Sequence, residues 1–564
     1  MPAHASLLGL GVVDPRALAA LIRQSALAHL ADMSPSPELS EDDIALERPK
    51  NRDHGDWATS IALKLAKVVG SNPRDLATAI ADNLLDHEGI AAAEVAGPGF
   101  INISLDAGSA GELVRTIVQA GDTYGSSSDM AGQVINVEFV SANPTGPLHI
   151  GHTRWAALGD SLVRVLRAAG ASVTSEFYIN DQGVQMDKFG LSVVAAAEGK
   201  PAPEDGYQGE YISDLARRVL EMVPDLLEMP ESARIETARD RAYELQLADI
   251  TASLSRFNVR FDVWFSERTL HTPGKSGESL IDESVERLRA GGHVFDDEGA
   301  VWVRTTDFGD DKDRVIRRAN GAYTYFAADA AYYLSKSDRG FWKKIYLLGA
   351  DHHGYIHRLK ALAGAAGDDP EVNVEILIGQ LVSINGAKLS KRAGNIIELD
   401  DLQTWLGTDA LRYSLARYPA DSPLTLDSDI LTKRSNDNPV FYVQYAHART
   451  HQVARNAAAA GVTTDTFEPS TLTHETESAL IASLGDFPRV VAQSAELREP
   501  HRVARYLEEV AGVYHRWYDA CRVSPQGDNP IEPVHGTRLW LNDATGHVLR
   551  NGLSMLGVSA PERM

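Results

Sequence analysis

Gln133-Val134-Ile135-Asn136-Val137-Glu138-Phe139-Val140 and, a short loop later, His149-Ile150-Gly151-His152 are the stretch whose reading decides the fold. The first run is apolar enough for a strand. The second opens an amphipathic segment in which Trp155, Leu158, Leu162, Leu166 and Ala169 share one helical face, with Gly170 placed to cap the end. Strand, loop and helix in this order start a parallel α/β unit. Two imidazoles then stand at a helix N-terminus, where free N–H groups and the positive end of the helix dipole attract phosphate. Gly151 leaves room for a base or backbone where a side chain would collide.

Outward from this unit, strands and helices alternate, with further strand candidates at Ser172–Tyr178, Lys344–Leu348 and Val374–Ile378. The alternation predicts a Rossmann-like parallel sheet over 121–400. A polar, Pro/Gly/Glu-containing stretch and acidic amphipathic helices interrupt it at about 190–310, which reads as an insertion between two halves of the sheet. Before it, residues 1–120 read as a small α+β domain. Asp14-Pro15 and Asn72-Pro73 are helix starts, with proline at the first helical position. Trp57, Ile61, Leu65 and Val68 keep helical spacing up to Gly70, and strands around Glu94 and from Phe100 to Leu105 meet at the Gly97-Pro98-Gly99 turn. Gly121 to Gly132 reads as a linker. After about Asp400 strand signals vanish. Apolar stripes through Leu480–Val491, Val503–Cys521 and Leu541–Met555 predict an α-helical bundle over 401–564, with a loop from Gly461 to Thr476.

Composition sets bounds. The 564 residues exceed one ordinary core, and 44% hydrophobic content excludes a disordered chain. No apolar run reaches membrane-spanning length, and the N-terminus lacks a basic-then-apolar signal pattern, so a cytoplasmic protein without membrane partners is expected. The single Cys521 excludes an internal disulfide and a thiolate zinc site, and its register with Val503, Leu507, Val510, Tyr514 and Trp517 predicts a buried structural thiol. Acidic residues outnumber basic ones 78 to 54, for a net charge of −24. That balance argues against indiscriminate nucleic-acid binding, but not against a binder whose cations gather on one face.

A second short sequence carries chemistry. Lys388-Leu389-Ser390-Lys391 puts two ammonium groups around a serine, suited to neutralising a leaving pyrophosphate. Alone, a lysine pair on a loop is ordinary solvated charge. Downstream of His149-Ile150-Gly151-His152 in an α/β region, it points to an enzyme that makes adenylates. Gly349-Ala350-Asp351-His352-His353-Gly354 follows a strand end, where a carboxylate suits a ribose hydroxyl. The two histidines there lack the three spaced ligands of a catalytic zinc, so no protein-held metal is expected.

The run from Val137 to His152, containing Ser141-Ala142-Asn143-Pro144-Thr145-Gly146-Pro147-Leu148, resembles the first signature of class I arginyl-tRNA synthetases. Lys388-Leu389-Ser390-Lys391-Arg392 is similar to the class-wide second signature, with leucine for methionine. Asp409-Ala410-Leu411-Arg412, Tyr442–Arg449 and the C-terminal Ser559–Met564 are also similar to that family. Members lacking the first lysine of the second signature carry one just before the first. Here that earlier position is Gly146 and Lys388 is present, so the chain resembles members that keep the charge on the loop.

The resemblance implies an arginine–tRNA ligase. ATP and L-arginine would form arginyl-adenylate, whose arginyl group passes to the 3′ end of tRNA(Arg), with Mg²⁺ on the phosphates and tRNA needed before the first step proceeds well. It assigns catalysis to His149, His152, Lys388 and Lys391, and ATP binding to these with Gly151, Gly349, Asp351 and Ser390. Glu138, Tyr325 and Asp329 are assigned to the guanidinium, which needs carboxylates for its forked donors, and Ser141 and Asn143 to the α-amino group. For Asp329 the alternative is a surface helix residue, and for Tyr325 core packing. Tyr442 and Tyr445, three apart on one helical face and flanked by Lys433, Arg434, Arg449 and Arg455, would stack on anticodon bases; half-buried packing is the alternative. Phe100 and Asn102 would meet the tRNA elbow, against a packed strand phenylalanine. A monomer is expected. The rivals are a small-molecule nucleotidylyltransferase, which has no need of the bundle, a class I synthetase of another specificity, and a non-catalytic paralogue.

Overall fold

The computed structural model describes residues 15–30, 38–40, 43–49, 54–274, 277–350, 354–385 and 397–564. Its centre is a five-stranded parallel sheet. In chain order the central elements are β1 (Val134–Glu138), α1 (Ile150–Ala168), β2 (Ser172–Ile179), β3 (Val263–Ser266), α2 (Tyr325–Asp338), β4 (Lys343–Gly349) and β5 (Val374–Gly379). The sheet order is β5-β4-β1-β2-β3, every neighbour parallel. The chain therefore runs outward from β1 on one side and returns to its other side at β4. That reversal opens a crevice at the carboxyl ends of β1 and β4, the place where open α/β sheets bind ligands. β1 is buried on both faces, as a central parallel strand requires, with Ile135 and Val137 on one face and the buried polar Asn136 and Glu138 on the other.

The sheet corrects the expected insertion. The run 190–310 is not a block set between the two halves, because it contains β3, the edge strand of the sheet itself. Helices Val184–Ala197, Glu210–Met222 and Glu231–Arg256 precede β3 and bury their own apolar cluster. A three-stranded antiparallel sheet (Val294–Asp297, Ala300–Val303, Arg314–Arg317), which the sequence did not announce, follows it. β3 escaped notice because it is only four residues long and none of them is fully buried, so it carries little periodicity.

The N-terminal residues form helices Pro15–Leu30, Ile61–Val69 and Pro73–Leu85 against a four-stranded antiparallel sheet with its own core. Asn72 caps the third helix by accepting the Arg74 N–H at 2.8 Å, with Pro73 at the first position. Asp14 lies outside the described residues. Trp57 departs from the helical reading: it lies in strand Trp57–Thr59, buried under the Arg48 guanidinium at 3.6 Å, and the helix begins only at Ile61. Its spacing to Ile61 mimics a helical turn because both point into one core.

Helices Pro439–Ala459, Glu475–Gly485, Phe487–Glu496, His501–Ala520 and Pro533–Met555 form the bundle. Helix Ala107–Ala120 contributes Leu113, Val114 and Ile117 to the core shared by bundle and sheet. One strand, Leu424–Asp427, does occur after Asp400, paired in parallel with Val382–Asn385. Cys521 is buried, its thiol 3.5 Å from the Thr476 hydroxyl and pushed up in pKa by burial, which makes it a poor nucleophile. Arg412 is fully buried. Its guanidinium donates to Asp160 on α1 at 2.5 Å, to Phe257 O at 2.9 Å and to Leu556 O at 2.9 Å, so one side chain stitches α1, the end of the insertion helix and the last helix of the bundle. Among the described residues no helix is long and apolar enough to cross a membrane.

Candidate active site

A cavity of about 860 Å³ opens at the carboxyl ends of β1, β4 and β5, walled also by the N-terminus of α1. Glu138, Ser141, Asn143, His149, Gly151, His152, Asp329 and Gly349 line it, so residues far apart in sequence converge on one site.

At one end stands the N-terminus of α1. His149 is its cap: Nδ1 accepts the Gly151 N–H at 3.2 Å, while His152 Nδ1 accepts the His149 N–H at 3.3 Å. The two rings lie 3.9 Å apart. Burial lowers the pKa of His149. Burial and then the neighbouring His149 lower that of His152 to about 3. Both imidazoles are therefore neutral near pH 7, and with Nδ1 accepting, each presents Nε2–H as a donor. Gly151 suits this pairing, since a Cβ there would come within 3.1 Å of the His149 ring and press it out of place by a few tenths of an ångström. Trp155, one turn along, lies across the end of β5 at Gly379, where a Cβ would sit 1.2 Å from its ring; only glycine leaves space for the indole.

Lys388, Ser390, Lys391, Arg392 and Asp351 lie outside the described residues. Their flanks do not. Val382 lines the cavity, and beyond the second signature Ile397 O accepts the Ile150 N–H at 3.2 Å while Leu399 N donates to Leu148 O at 2.8 Å. The first signature segment is thus joined by backbone hydrogen bonds to the residues that follow the second, Ile397 and Leu399.

The other end is acidic. Asp329 on α2 has its pKa raised to about 7, chiefly by burial, with Glu267 and Glu138 adding to the rise and the Tyr355 hydroxyl and Arg358 opposing it. Glu267, buried behind Tyr178, is also raised, first by burial. Tyr178 is raised by burial and then by Glu267 and Asp329. Glu138 is differently placed. Its Oε2 accepts the Lys336 ammonium at 2.6 Å, and its Oε1 accepts the Ser141 hydroxyl at 3.1 Å. Asn143 donates to Gln185 Oε1 at 2.9 Å.

Tyr325 stands apart: it opens α2 with 73% of its surface exposed and is not in the cavity wall. The phenol beside Asp329 is that of Tyr355 instead. Sequence reasoning missed Tyr355, Glu267, Tyr178, Lys336 and Trp155. Tyr355 had a signal, since it opens the helix right after Gly354. Glu267 had none, because its approach depends on β3.

On the bundle, Tyr442 and Tyr445 flank His515, at ring distances of 5.2 and 5.8 Å. Arg449 lies 4.7 Å over Tyr445 and 4.6 Å over Tyr518. Surface hollows beside them hold Arg434, Arg455, Arg563 and the terminal Met564. Phe100 and Asn102, on one face of an N-terminal strand, leave the phenyl ring 38% exposed.

Comparison with known proteins agrees along the whole length. Residues 18–105 match the arginyl tRNA synthetase N terminal domain, 113–412 the catalytic domain of class I (R) tRNA synthetases, and 443–564 the DALR anticodon binding domain. The arginine–tRNA ligase of Pseudarthrobacter chlorophenolicus is 64% identical over 93% of this chain and 94% of its own. That of Kineococcus radiotolerans is 54% identical over 98% of this chain and 100% of its own. Among solved structures, a putative arginyl-tRNA synthetase from Campylobacter jejuni superposes with TM-score 0.73 at 32% identity, covering 82% of this chain and all of its own. The Thermus thermophilus arginyl-tRNA synthetase shares the fold at TM-score 0.73 and 22% identity, covering 98% of this chain and all of its own.

Proposed function

Because this chain belongs to the arginyl-tRNA synthetase family, and is an arginine–tRNA ligase with ATP, arginine and tRNA(Arg) as substrates, we propose how its residues divide that work. The observation that carries the proposal is the single cavity with a half-buried acid of raised pKa, Asp329, at one end and the donor-rich start of α1 at the other.

Arginine lies with its guanidinium at Asp329. The potential there is made more negative by Glu267 behind Tyr178, and its α-amino end lies at Ser141 and Asn143. Its carboxylate oxygen attacks the α-phosphorus of ATP in line; the bond to the β-phosphate oxygen breaks and pyrophosphate leaves. The chain supplies position and preset dipoles rather than a covalent partner. His149 and His152 donate Nε2–H bonds as charge builds on the phosphoryl oxygens. Because they are neutral, they act as fixed donors at a helix N-terminus. Lys388 and Lys391 supply the full positive charge for the departing pyrophosphate, while Gly349 and Asp351 hold the ribose. The terminal ribose hydroxyl of tRNA(Arg) then attacks the adenylate carbonyl and AMP leaves.

His149, Gly151 and His152 present nitrogen donors and no carboxylate, so this wall offers Mg²⁺ no ligand; an ion here arrives bound to the nucleotide's own phosphates. The tRNA is held by Phe100 and Asn102 at one extremity and by Tyr442 and Tyr445 at the other. The enzyme works as a monomer in the cytoplasm.

Pyrophosphate exchange with each protein amino acid, with and without tRNA(Arg), tests the reading. Arginine alone should support exchange, strongly only with tRNA. Comparable exchange with another amino acid would overturn the assignment of the acidic end.

A further inference from the structure

Lys336 has no assigned part in this reaction, yet it is one of the most fully buried cations in the chain, with 0% of its surface exposed. It lies two turns beyond Asp329 on α2, so both project from the same face of the helix. Its ammonium contacts Glu138 Oε2 at 2.6 Å and lies 4.4 and 4.1 Å over the rings of Tyr332 and Tyr346. Glu138 is thereby occupied on both oxygens, by Lys336 and by the Ser141 hydroxyl at 3.1 Å.

The turn that Ser141 belongs to is strained. Val140 and Ser141 have φ of 68° and 42°, and a β-branched residue in the left-handed region is a true outlier that persists only where its surroundings fix it. What fixes it is visible. The Ser141 hydroxyl donates to Glu138 and accepts the Tyr178 N–H at 3.2 Å, while its own N–H donates to Phe139 O at 2.9 Å.

We propose that Lys336 is a positioning residue for arginine activation: it neutralises Glu138 and, through Glu138 and Ser141, clamps the strained turn that receives the α-amino group. Glu138 then pairs with Lys336 rather than bonding the guanidinium directly, which is left to Asp329 with only the field of Glu267 and Glu138 behind it. This inference rests on the arginine orientation proposed above.

The test separates the two ends of the substrate. Desamino-arginine keeps the guanidinium and carboxylate but lacks the α-amino group, and competes with arginine in pyrophosphate exchange. In Lys336→Met, the arginine KM should rise about tenfold or more, with the ATP KM and the desamino-arginine inhibition constant each within about twofold of wild type. Equal weakening of arginine and desamino-arginine would make the lysine a general prop and sink the proposal, as would an unchanged arginine KM. The double variant Glu138→Gln/Lys336→Met buries no unpaired charge, so it carries the test even if the single variant fails to fold. It should bind desamino-arginine within about twofold of wild type, and a tenfold loss would return Glu138 to the guanidinium. Failure of the underlying orientation looks different: desamino-arginine would then not compete with arginine in the wild type at all.

Discussion

The two ends of the cavity handle charge in opposite ways. In the proposed reading the phosphate end meets a highly charged ligand with neutral groups: burial lowers the pKa of His149 and His152, which would act as oriented donors on a helix terminus. The proposed guanidinium end meets a single positive charge with Asp329, a half-buried carboxyl of the cavity wall whose pKa, raised to about 7, leaves it only partly ionised near neutral pH when the pocket is empty. Burial thus creates a fixed dipole in one place and withholds a charge until its partner arrives in the other. The difference follows from the bonding needs of each ligand. A transition state that spreads charge over several oxygens gains from many weak preset donors. A guanidinium gains most from one desolvated carboxylate in its plane.

The largest break in this comparison should come from the donors. His152→Ala removes an Nε2–H and the partner that sets the His149 ring; adenylate formation should fall about 10²- to 10³-fold in single-turnover exchange, with melting temperature nearly unchanged. Near-normal turnover in both His149→Ala and His152→Ala would mean that the lysines alone carry the phosphate charge.

Next, Asp329→Asn keeps shape and hydrogen-bonding atoms but deletes the charge. The arginine KM should rise about 10- to 100-fold, in keeping with about 1.5–3 kcal/mol for a hydrogen bond to a charged group, and the ATP KM should stay put. Citrulline, which lacks the cation, should be rejected by the wild type and gain relative to arginine in the variant. Equal arginine KM values for the two enzymes would move the charge elsewhere, to Glu267 first.

A pH series sharpens the same contrast. Guanidinium favours the ionised form of Asp329, so arginine binding pulls its pKa down from about 7 and releases a proton. Arginine affinity should therefore rise with pH up to about 7 and level off above it, falling by at most about tenfold per pH unit on the acid side. In the empty pocket Glu267 and Glu138 hold this pKa up, while Tyr355 and Arg358 already pull it down. ATP affinity should follow no such curve near neutrality, because the histidines stay neutral there. An arginine KM flat from about pH 6 to 8 would show that Asp329 is already ionised in the empty pocket.

The smallest effect is expected far from the cavity. Tyr445→Ala should cost about 1–3 kcal/mol of tRNA affinity if a base stacks on the ring, with the arginine KM unmoved. Tyr445 also packs on Phe441 at 6.0 Å and receives the Arg449 guanidinium on its hydroxyl at 2.5 Å. Melting temperature and tRNA KM are therefore measured on one preparation; a drop in stability alone would leave the ring as packing.

Much of this was legible beforehand. The strand at Val134, the helix after His149 and the bundle stripes follow from local periodicity, because a helix or strand must turn its apolar residues to one side whatever it packs against. The signature motifs were equally plain, since a helix N-terminus offers donors irrespective of the rest of the fold. Trp57 and β3 were not. A residue's spacing to its neighbours does not say whether a core is approached by a helix turn or a strand, and a short, half-buried edge strand leaves no pattern.

What the tertiary structure alone decided is which distant residues meet. Periodicity says which way Asp329 and Lys336 face on α2, but only the strand order β4-β1-β2 brings that face over Glu138 and Tyr178. The return of β3 to the sheet edge puts Glu267 behind Tyr178, and the glycine at the end of β5 admits Trp155. Tyr355 stands beside Asp329 where the resemblance had put Tyr325, because Tyr325 itself projects to solvent while Tyr355, at the start of the helix after β4, lines the cavity. Sequence thus determined the elements and the chemistry each carries. Packing determined which charges share a buried space, and so which are neutralised, which are withheld and which are free to act, because the strength of an electrostatic interaction depends on partners and solvent exclusion that no single element contains.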